Sequence, residues 1–354
     1  MPVKGLFFNK FYLYEDKIKK IISHSNARDL IKFDCAKKEC SYDVLIENFL
    51  DSKYQFLIHR NEHGCLFKGG GIQDLNNEMA KRGMPLLNFD FGYFNHYKGF
   101  MFDFYLSDMS SSIKLDWDYL SDKVNWDFAP KYIQEYRNKS INGVNEAIGS
   151  DINGQNLNDC VVIWMQWNTD LLRKNLYIDG KKIPQYQWIN LVAEKIRNQG
   201  LTPVVKLNIA NHSEIYNDTI PNVDESILLV TNKEDVYRSN PKTIFDANAN
   251  NKLIANAKYH ILLCSSVSNE IVLNNKPVIA TGKSWFNDLD IFYEPSSWED
   301  SFSEPKINEK ARNKWINWWL SRQVTLQQSD SKILEIYNKA LAYLNQPVEL
   351  DWQI

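Results

Sequence analysis

At 354 residues the chain exceeds the size at which one hydrophobic core usually keeps growing, so two domains are expected. Hydrophobic residues at 44% and charged residues at 24% exclude a disordered chain, and no apolar run approaches the roughly 20 residues that cross a bilayer. A formal net charge of -3 excludes an overall field for nucleic acid; yet residues 1–40 hold nine Lys/Arg and five Asp/Glu, net +4, leaving -3 minus 4, or -7, for the remainder.

The first half reads as short α/β units. GLFFNKFYLY is a strand, EDKIKKIISHSNARDLIKF a helix and a following strand, and YDVLIEN and YQFLIHR are two further strands. IQDLNNEMAKRG carries Ile72, Leu75 and Met79 at helical spacing with Gly83 as its stop, and MPLLNFD is the next strand. From about 107 to 155 the chain is richer in Ser, Asn, Asp and Gly, and SINGVNEAIGSDINGQNLND reads as a helix ending in an irregular connection. A domain boundary is therefore expected near residue 155.

The same rhythm returns in the second half. DCVVIWMQW is a buried strand, QYQWINLVAEKIRNQG an amphipathic helix closed by Gly200, LTPVVKLN and ESILLVTN are strands, and KTIFDANANNKLIANA is a helix. YHILLCSS, SNEIVLNN and KPVIATG then read as strand, short helix and strand. Alternation of this kind implies parallel sheets with helices on both faces. The tail from about 306 is helical, with Trp315, Trp318 and Trp319 on one face as core packing between the domains. The expected division is 1–155, 156–305 and a helical tail over 306–354.

Five cysteines, Cys35, Cys40, Cys65, Cys160 and Cys264, are scattered and odd in number, which suggests reduced thiols rather than a disulfide framework or a zinc site. The six histidines are dispersed as well, so no metal site is expected. The start, MPVKGLFFNKFYLYEDK, has charges too early for a secretory segment, and a cytoplasmic protein is expected. The 11 Trp, 18 Tyr and 18 Phe serve cores first and stacking platforms second. Gly69 to Gly71 lack the Lys-Ser/Thr of a phosphate loop and count as a turn.

Two stretches could carry chemistry. In CSSVSNEIVLNNKPVIATG a strand ends at Ser265 and Ser266, a helix begins near Ser268, and Glu270 sits in its first turn. Free N–H groups of a helix start beside serine hydroxyls suit a phosphate, and Glu270 could accept from the diol of a ribose or sugar. Each residue alone also fits an ordinary cap or a first-turn acid. In FDFGYFNHYKGFMFDF, a loop-like stretch after an apolar strand, Asp90 stands before Gly92 at a strand tip, where a turn acid and a reactive carboxylate are equally at home.

The Ser265 to Val278 stretch resembles the donor-site segment of the bacterial capsule polysaccharide transferases of the β-Kdo type. In the same chain order, KRGMPLLNFDFGYF resembles that family's acidic-Gly-aromatic motif, VVIWMQWNTD its strand leading to Gln and Asp, and VVKLNIANH its Lys-x-His-Pro segment, here without the proline. The resemblance spans about residues 40 to 290. It implies a GT-B glycosyltransferase: two Rossmann-like domains facing across a cleft, with no cofactor or metal and a nucleotide sugar, UDP- or CMP-linked, as co-substrate. On that basis Asp90 is expected to take the proton of the acceptor hydroxyl, with His96 and Asp103 as rival bases and Tyr93 beside them on the acceptor side. Gln166, Asp170, His212, Ser265, Ser266, Ser268 and Glu270 are expected to hold the donor, with Lys206 or Lys283 stabilising the leaving phosphate.

Compact enzymes of this fold also resemble phage DNA-modifying sugar transferases, whose acceptor is a hydroxymethylated pyrimidine. The net +4 of residues 1–40 favours double-stranded DNA of that kind slightly over a capsule or lipopolysaccharide glycan. A protein that only binds sugar or nucleic acid is the remaining reading.

Overall fold

A computed structural model describes residues 5–8, 30–33, 56–60, 86–91, 100–103, 112–165, 177–178, 181–207, 220–240, 242–263, 265–282, 287–298, 300, 302, 304–324 and 335. The chain divides into two compact units, 1–132 with 314–353, and 133–313 with 354. The boundary expected near residue 155 thus falls inside the second unit. The helix preceding it makes its contacts there, and most of the tail belongs with the first unit.

The first unit is built on β1 (Gly5–Phe8), β2 (Leu30–Phe33), β3 (Phe56–Arg60), β4 (Leu86–Phe91) and β5 (Phe100–Asp103). A C-terminal strand, Gln323–Val324, is β14 in chain order. The sheet runs β14-β5-β4-β3-β1-β2, parallel from β4 to β2 and antiparallel at β5 and β14. Four of these strands lie where apolar runs predict them. The stretch from Phe89 to Phe104, read as a loop, instead contributes the end of β4 and all of β5, with Asp90 opposite Met101 and Asn88 opposite Asp103. Alternating aromatics make that segment a good strand, and the Asp-Gly signal gave the wrong weight to its turn. YDVLIEN, the helix expected over 72–83 and the glycines 69–71 lie outside the described residues.

Also in the first unit, α1 (Ile113–Asp116) is followed by single 3-10 turns at Trp117–Tyr119 and Trp126–Phe128. The second unit holds α2 (Lys131–Glu146, from Ile133 onward), β6 (Cys160–Trp164), the hairpin β7 (Tyr177–Ile178) and β8 (Lys181–Lys182), and α3 (Gln185–Arg197). β9 (Thr202–Lys206), β10 (Leu228–Thr231), α4 (Glu234–Ser239), β11 (Thr243–Phe245) and α5 (Ala249–Asn256) follow, then β12 (Tyr259–Leu262), α6 (Val267–Leu273) and β13 (Val278–Ala280). Its sheet is wholly parallel, in the order β11-β10-β9-β6-β12-β13.

Every residue of β6 is buried, as a central strand covered on both faces must be. Val161, Ile163, Val205 and Ile261 pack with Trp188, Ile189, Val192 and Ile196 of α3 on one face. The α3 helix stops where predicted: Gly200 takes φ +72, a conformation that favours glycine, and donates its N–H to Arg197 O at 2.8 Å. KTIFDANANNKLIANA, expected as one helix, is split. Thr243-Ile-Phe adds a β-branched and aromatic edge strand beside β10, and helix resumes only after the Asp246 carboxylate accepts from the Asn248 N–H at 2.8 Å.

The last helix, α7 (Glu309–Arg322), carries the tryptophan face. Trp315, Trp318 and Trp319 are at most 1% exposed and meet edge-on, with centroids 6.0 Å and 5.2 Å apart. Within the first unit this face is pinned by a buried charge. Arg322, fully buried, pairs with Asp116 and donates to Ser112 Oγ at 2.7 Å, and the Trp318 indole donates to the same hydroxyl at 3.1 Å. Breaking a buried pair strands the remaining charge at a cost of about 3–5 kcal/mol. Arg322→Met should therefore lower unfolding stability in denaturant by that amount, and adding Asp116→Leu should recover part of it.

Candidate functional site

All six strands of the second sheet point the same way, so their carboxyl ends form one edge. The chain steps outward from β6 through β9 and β10 to β11, then crosses back to β12 on the other side of β6. Open α/β sheets bind ligands outside the carboxyl ends at such a reversal.

Lys206, the last residue of β9, sits on this edge at 3% exposure. By strand alternation it shares a face with Val204, opposite the face that packs on α3. Its ammonium donates to Leu207 O at 2.9 Å and to Asn232 Oδ1 at 3.0 Å, which leaves one of three N–H bonds. Asn232 is set by a tight turn in which the Lys233 N–H donates to Thr231 Oγ1 at 3.1 Å.

Glu270, in the first turn of α6, is only partly exposed. Tyr136 of α2 donates to its Oε1 at 2.9 Å. Burial pushes the Glu270 carboxyl up, while the Tyr136 hydrogen bond and the Lys206 charge pull it back. Burial brings Lys206 down to about 8, against the opposing pull of Glu270, and Lys233 lowers it further. The Tyr136 phenol is raised by burial and by the Glu270 charge, so it stays a donor. The result is a desolvated cation and a desolvated carboxylate that act on each other's charge, with the phenol hydrogen-bonded to the carboxylate.

The helix bearing Glu270 is clamped to α2. One turn beyond the Tyr136 bond, Asn274 Nδ2 donates to Ser140 Oγ at 3.0 Å, so the two helices run together in step. Farther along α2, a Cβ on Gly143 would meet Asn251 Nδ2 of α5 at 2.6 Å, and Asn256 Nδ2 donates to Ala147 O at 2.8 Å. Beneath the site Trp164 donates to His260 Nδ1 at 3.3 Å, and burial, with Lys276 and Arg312 nearby, pushes that imidazole down to about 3. His260 is thus a neutral packing residue.

Lys206 ends β9, and Ser265, Ser266, Ser268 and Glu270 follow the end of β12, at the same carboxyl-end edge of the sheet. Ser266 occupies the cap position of α6 without a side-chain cap bond, and Ser268 is buried. The helix start is less open than expected, because the N–H groups of Ser268 and Asn269 donate to Ser265 O and Ser266 O at 3.0 and 3.1 Å. With seven residues α6 is also short, so positive charge at this edge comes from Lys206. Asp90 is the penultimate residue of β4 and Asp103 the last of β5. Tyr93, His96, Gln166, Asp170, His212 and Lys283 lie outside the described residues.

Sequence reasoning missed Tyr136 and Asn232. A signal for the first was present, since Tyr132, Tyr136 and Ser140 line one face of α2 at intervals of four, matched by Glu270 and Asn274 on α6. Asn232 stands in an ordinary turn and carries no such mark. Among the described residues no group of three His, Cys, Asp or Glu could hold a metal, and no helix is long and apolar enough to cross a membrane. Cys160 is a buried free thiol, pushed up to about 11 by burial and Asp159.

No family model and no curated protein sequence matches the chain. Solved structures do. The β-Kdo 2,7 transferase KpsC of Thermosulfurimonas dismutans is similar over 94% of this chain and 99% of its own, at 11% identity and a TM-score of 0.50. The β-Kdo 2,4 transferase KpsC of the same organism covers 89% of this chain and 90% of its own, at 10% identity and 0.50. The chain has the GT-B fold, as the sequence resemblance implied, with one wholly parallel and one mixed α/β sheet and a helical C-terminal segment.

The cost of burying Lys206 has a measurable sign. A tenfold change in protonation is worth about 1.4 kcal/mol, so a fall from the ordinary 10.5 to about 8 corresponds to roughly 3 kcal/mol. Below pH 8 the folded state carries that whole penalty. Between about 8 and 10.5 the unfolded chain binds the extra proton, and stability rises with pH. The unfolding temperature of Lys206→Met minus that of the parent should therefore be most positive near neutrality and shrink steadily above pH 8.

Proposed function

We propose that the chain is a glycosyltransferase that moves a sugar from a nucleotide-activated donor to a hydroxyl of its acceptor. The observation that carries this reading is the desolvated set of Lys206, Glu270 and Tyr136 at the strand-end edge of a parallel sheet, within a GT-B fold. Such a set offers one N–H and a carboxylate to a ligand with both an anion and hydroxyls, which is the chemistry of a nucleotide sugar. Lys206 supplies positive charge to the leaving phosphate as the bond from the anomeric carbon to the phosphate oxygen breaks. Asp90 takes the proton of the acceptor hydroxyl as the new bond to the anomeric carbon forms. No metal ion is assigned a step, and Gln166, Asp170, His212, Lys283 and the serines 265, 266 and 268 complete the proposed donor pocket, with Tyr93, His96 and Asp103 on the acceptor side.

A glycan acceptor is favoured by the names of the two solved β-Kdo transferases. The hydroxymethylated pyrimidine of DNA rests on the net +4 of residues 1–40 and on the surplus of aromatic residues.

Thermal shift with UDP, CMP and their sugar conjugates should reveal a stabilising nucleotide, and Glu270→Ala should weaken its affinity roughly 10- to 100-fold, the worth of a charged hydrogen bond. Asp90→Asn should fold, keep nucleotide affinity and lose turnover. Intact-mass analysis of glycans and of hydroxymethylated DNA with the best donor then identifies the acceptor, and turnover by Asp90→Asn at the parental rate would remove Asp90 from the base role.

A further inference from the structure

The phenol of Tyr136 spends its only donor on Glu270 Oε1. The α2 helix that carries it precedes β6 in the chain. Two features make the bond a matter of position. The first is register: the Ser140–Asn274 bond one turn along and the Asn256 contacts with Ala147 and Ser150 hold α2 against α6 and α5, so the phenol oxygen is delivered by backbone packing. The second is what remains open. With Oε1 taken by the phenol, Glu270 keeps Oε2 as an acceptor for a ligand, and Lys206, whose charge acts on Glu270, keeps one N–H.

We propose that Tyr136 is a positioning residue: by holding Glu270 Oε1 it fixes the carboxylate plane so that Oε2 accepts from a ligand hydroxyl while Lys206 meets the ligand's anionic group. This rests on the nucleotide-sugar reading of the site and assigns the ligand class as one that presents a hydroxyl and an anion together. A rotating Glu270 would pair with Lys206 and fill the site with its own salt bridge; the phenol is what keeps the two charges available.

Among the described residues, the groups acting on Glu270 are Tyr136 from α2 and Lys206 from the end of β9, and Lys233 after β10 acts on Lys206. Removing the phenol removes a bond that favours the ionised carboxylate, so the acid limb of binding moves to higher pH. The experiment is calorimetric titration of the full chain with UDP and CMP between pH 5 and 9, for the parent, Tyr136→Phe, Glu270→Ala and Ser140→Ala. Tyr136→Phe, which keeps the ring and its packing, is expected to weaken the bound nucleotide about tenfold and to shift the acid limb upward. Ser140→Ala, which cuts the neighbouring helix-to-helix bond, is expected to leave the limb in place. Parental affinity and pH profile in Tyr136→Phe, with binding lost in Glu270→Ala, would overturn the positioning role and leave the nucleotide reading standing. An equal shift in Ser140→Ala would overturn it too, by tracing the effect to the helix clamp. Failure of the parent to bind either nucleotide would overturn the reading of the site and the role of Tyr136 with it.

Discussion

Burial of β6 on both faces is the constraint from which the second unit follows. Cys160 to Trp164 are at most 4% exposed, so this strand can carry no side chain that needs water. Its neighbours β9 and β12 are buried up to and including their carboxyl ends, and only Thr202 at the start of β9 is half-buried. Lys206 stands at one such end, and the serines and Glu270 follow the other. Lys206 and Glu270 thus stand at this edge rather than within the central strand.

What the edge gains from the interior is desolvation. A surface lysine and glutamate would be screened by water and worth little to a ligand. Lys206 at 3% exposure is held as a cation against its burial, with Leu207 O and Asn232 Oδ1 as hydrogen-bond acceptors and Glu270 as counter-charge. That arrangement costs the fold stability locally. The clamp of α2 on α5 and α6 is the structural counterpart, since it holds the phenol and the carboxylate in place.

Much of this was legible residue by residue. Continuous apolar runs such as CVVIW and TPVVK announce strands buried on both sides, and QYQWINLVAEKIRNQG announces its helix by spacing and its stop by Gly200. The places of Lys206 at the end of a strand and of Glu270 in the first turn of a helix were legible from the strand-turn-helix pattern around them. Two features misled. Thr243-Ile-Phe looked like the start of a helix because its apolar residues fit either period over so short a run, and only pairing with β10 decides for a strand. Phe100–Asp103 looked like loop because Asp, Gly and Asn punctuate the stretch before it, and only the antiparallel match to β4 shows the hairpin partner.

The sequence by itself determined the α/β alternation, the core faces of α3 and α7, and the position of the carboxyl-end segments that bear Lys206, Ser265 and Glu270. These depend on periodicity and turn chemistry, which act over a few residues. Only the tertiary structure decided that Tyr136, 134 positions before Glu270, supplies its hydrogen bond, and that Asn232 holds Lys206 from a turn 26 positions on. It also decided that Arg322 and Asp116, 206 positions apart, form one buried pair. Contacts at that separation are fixed by how helices and strands stack, and no local pattern encodes them.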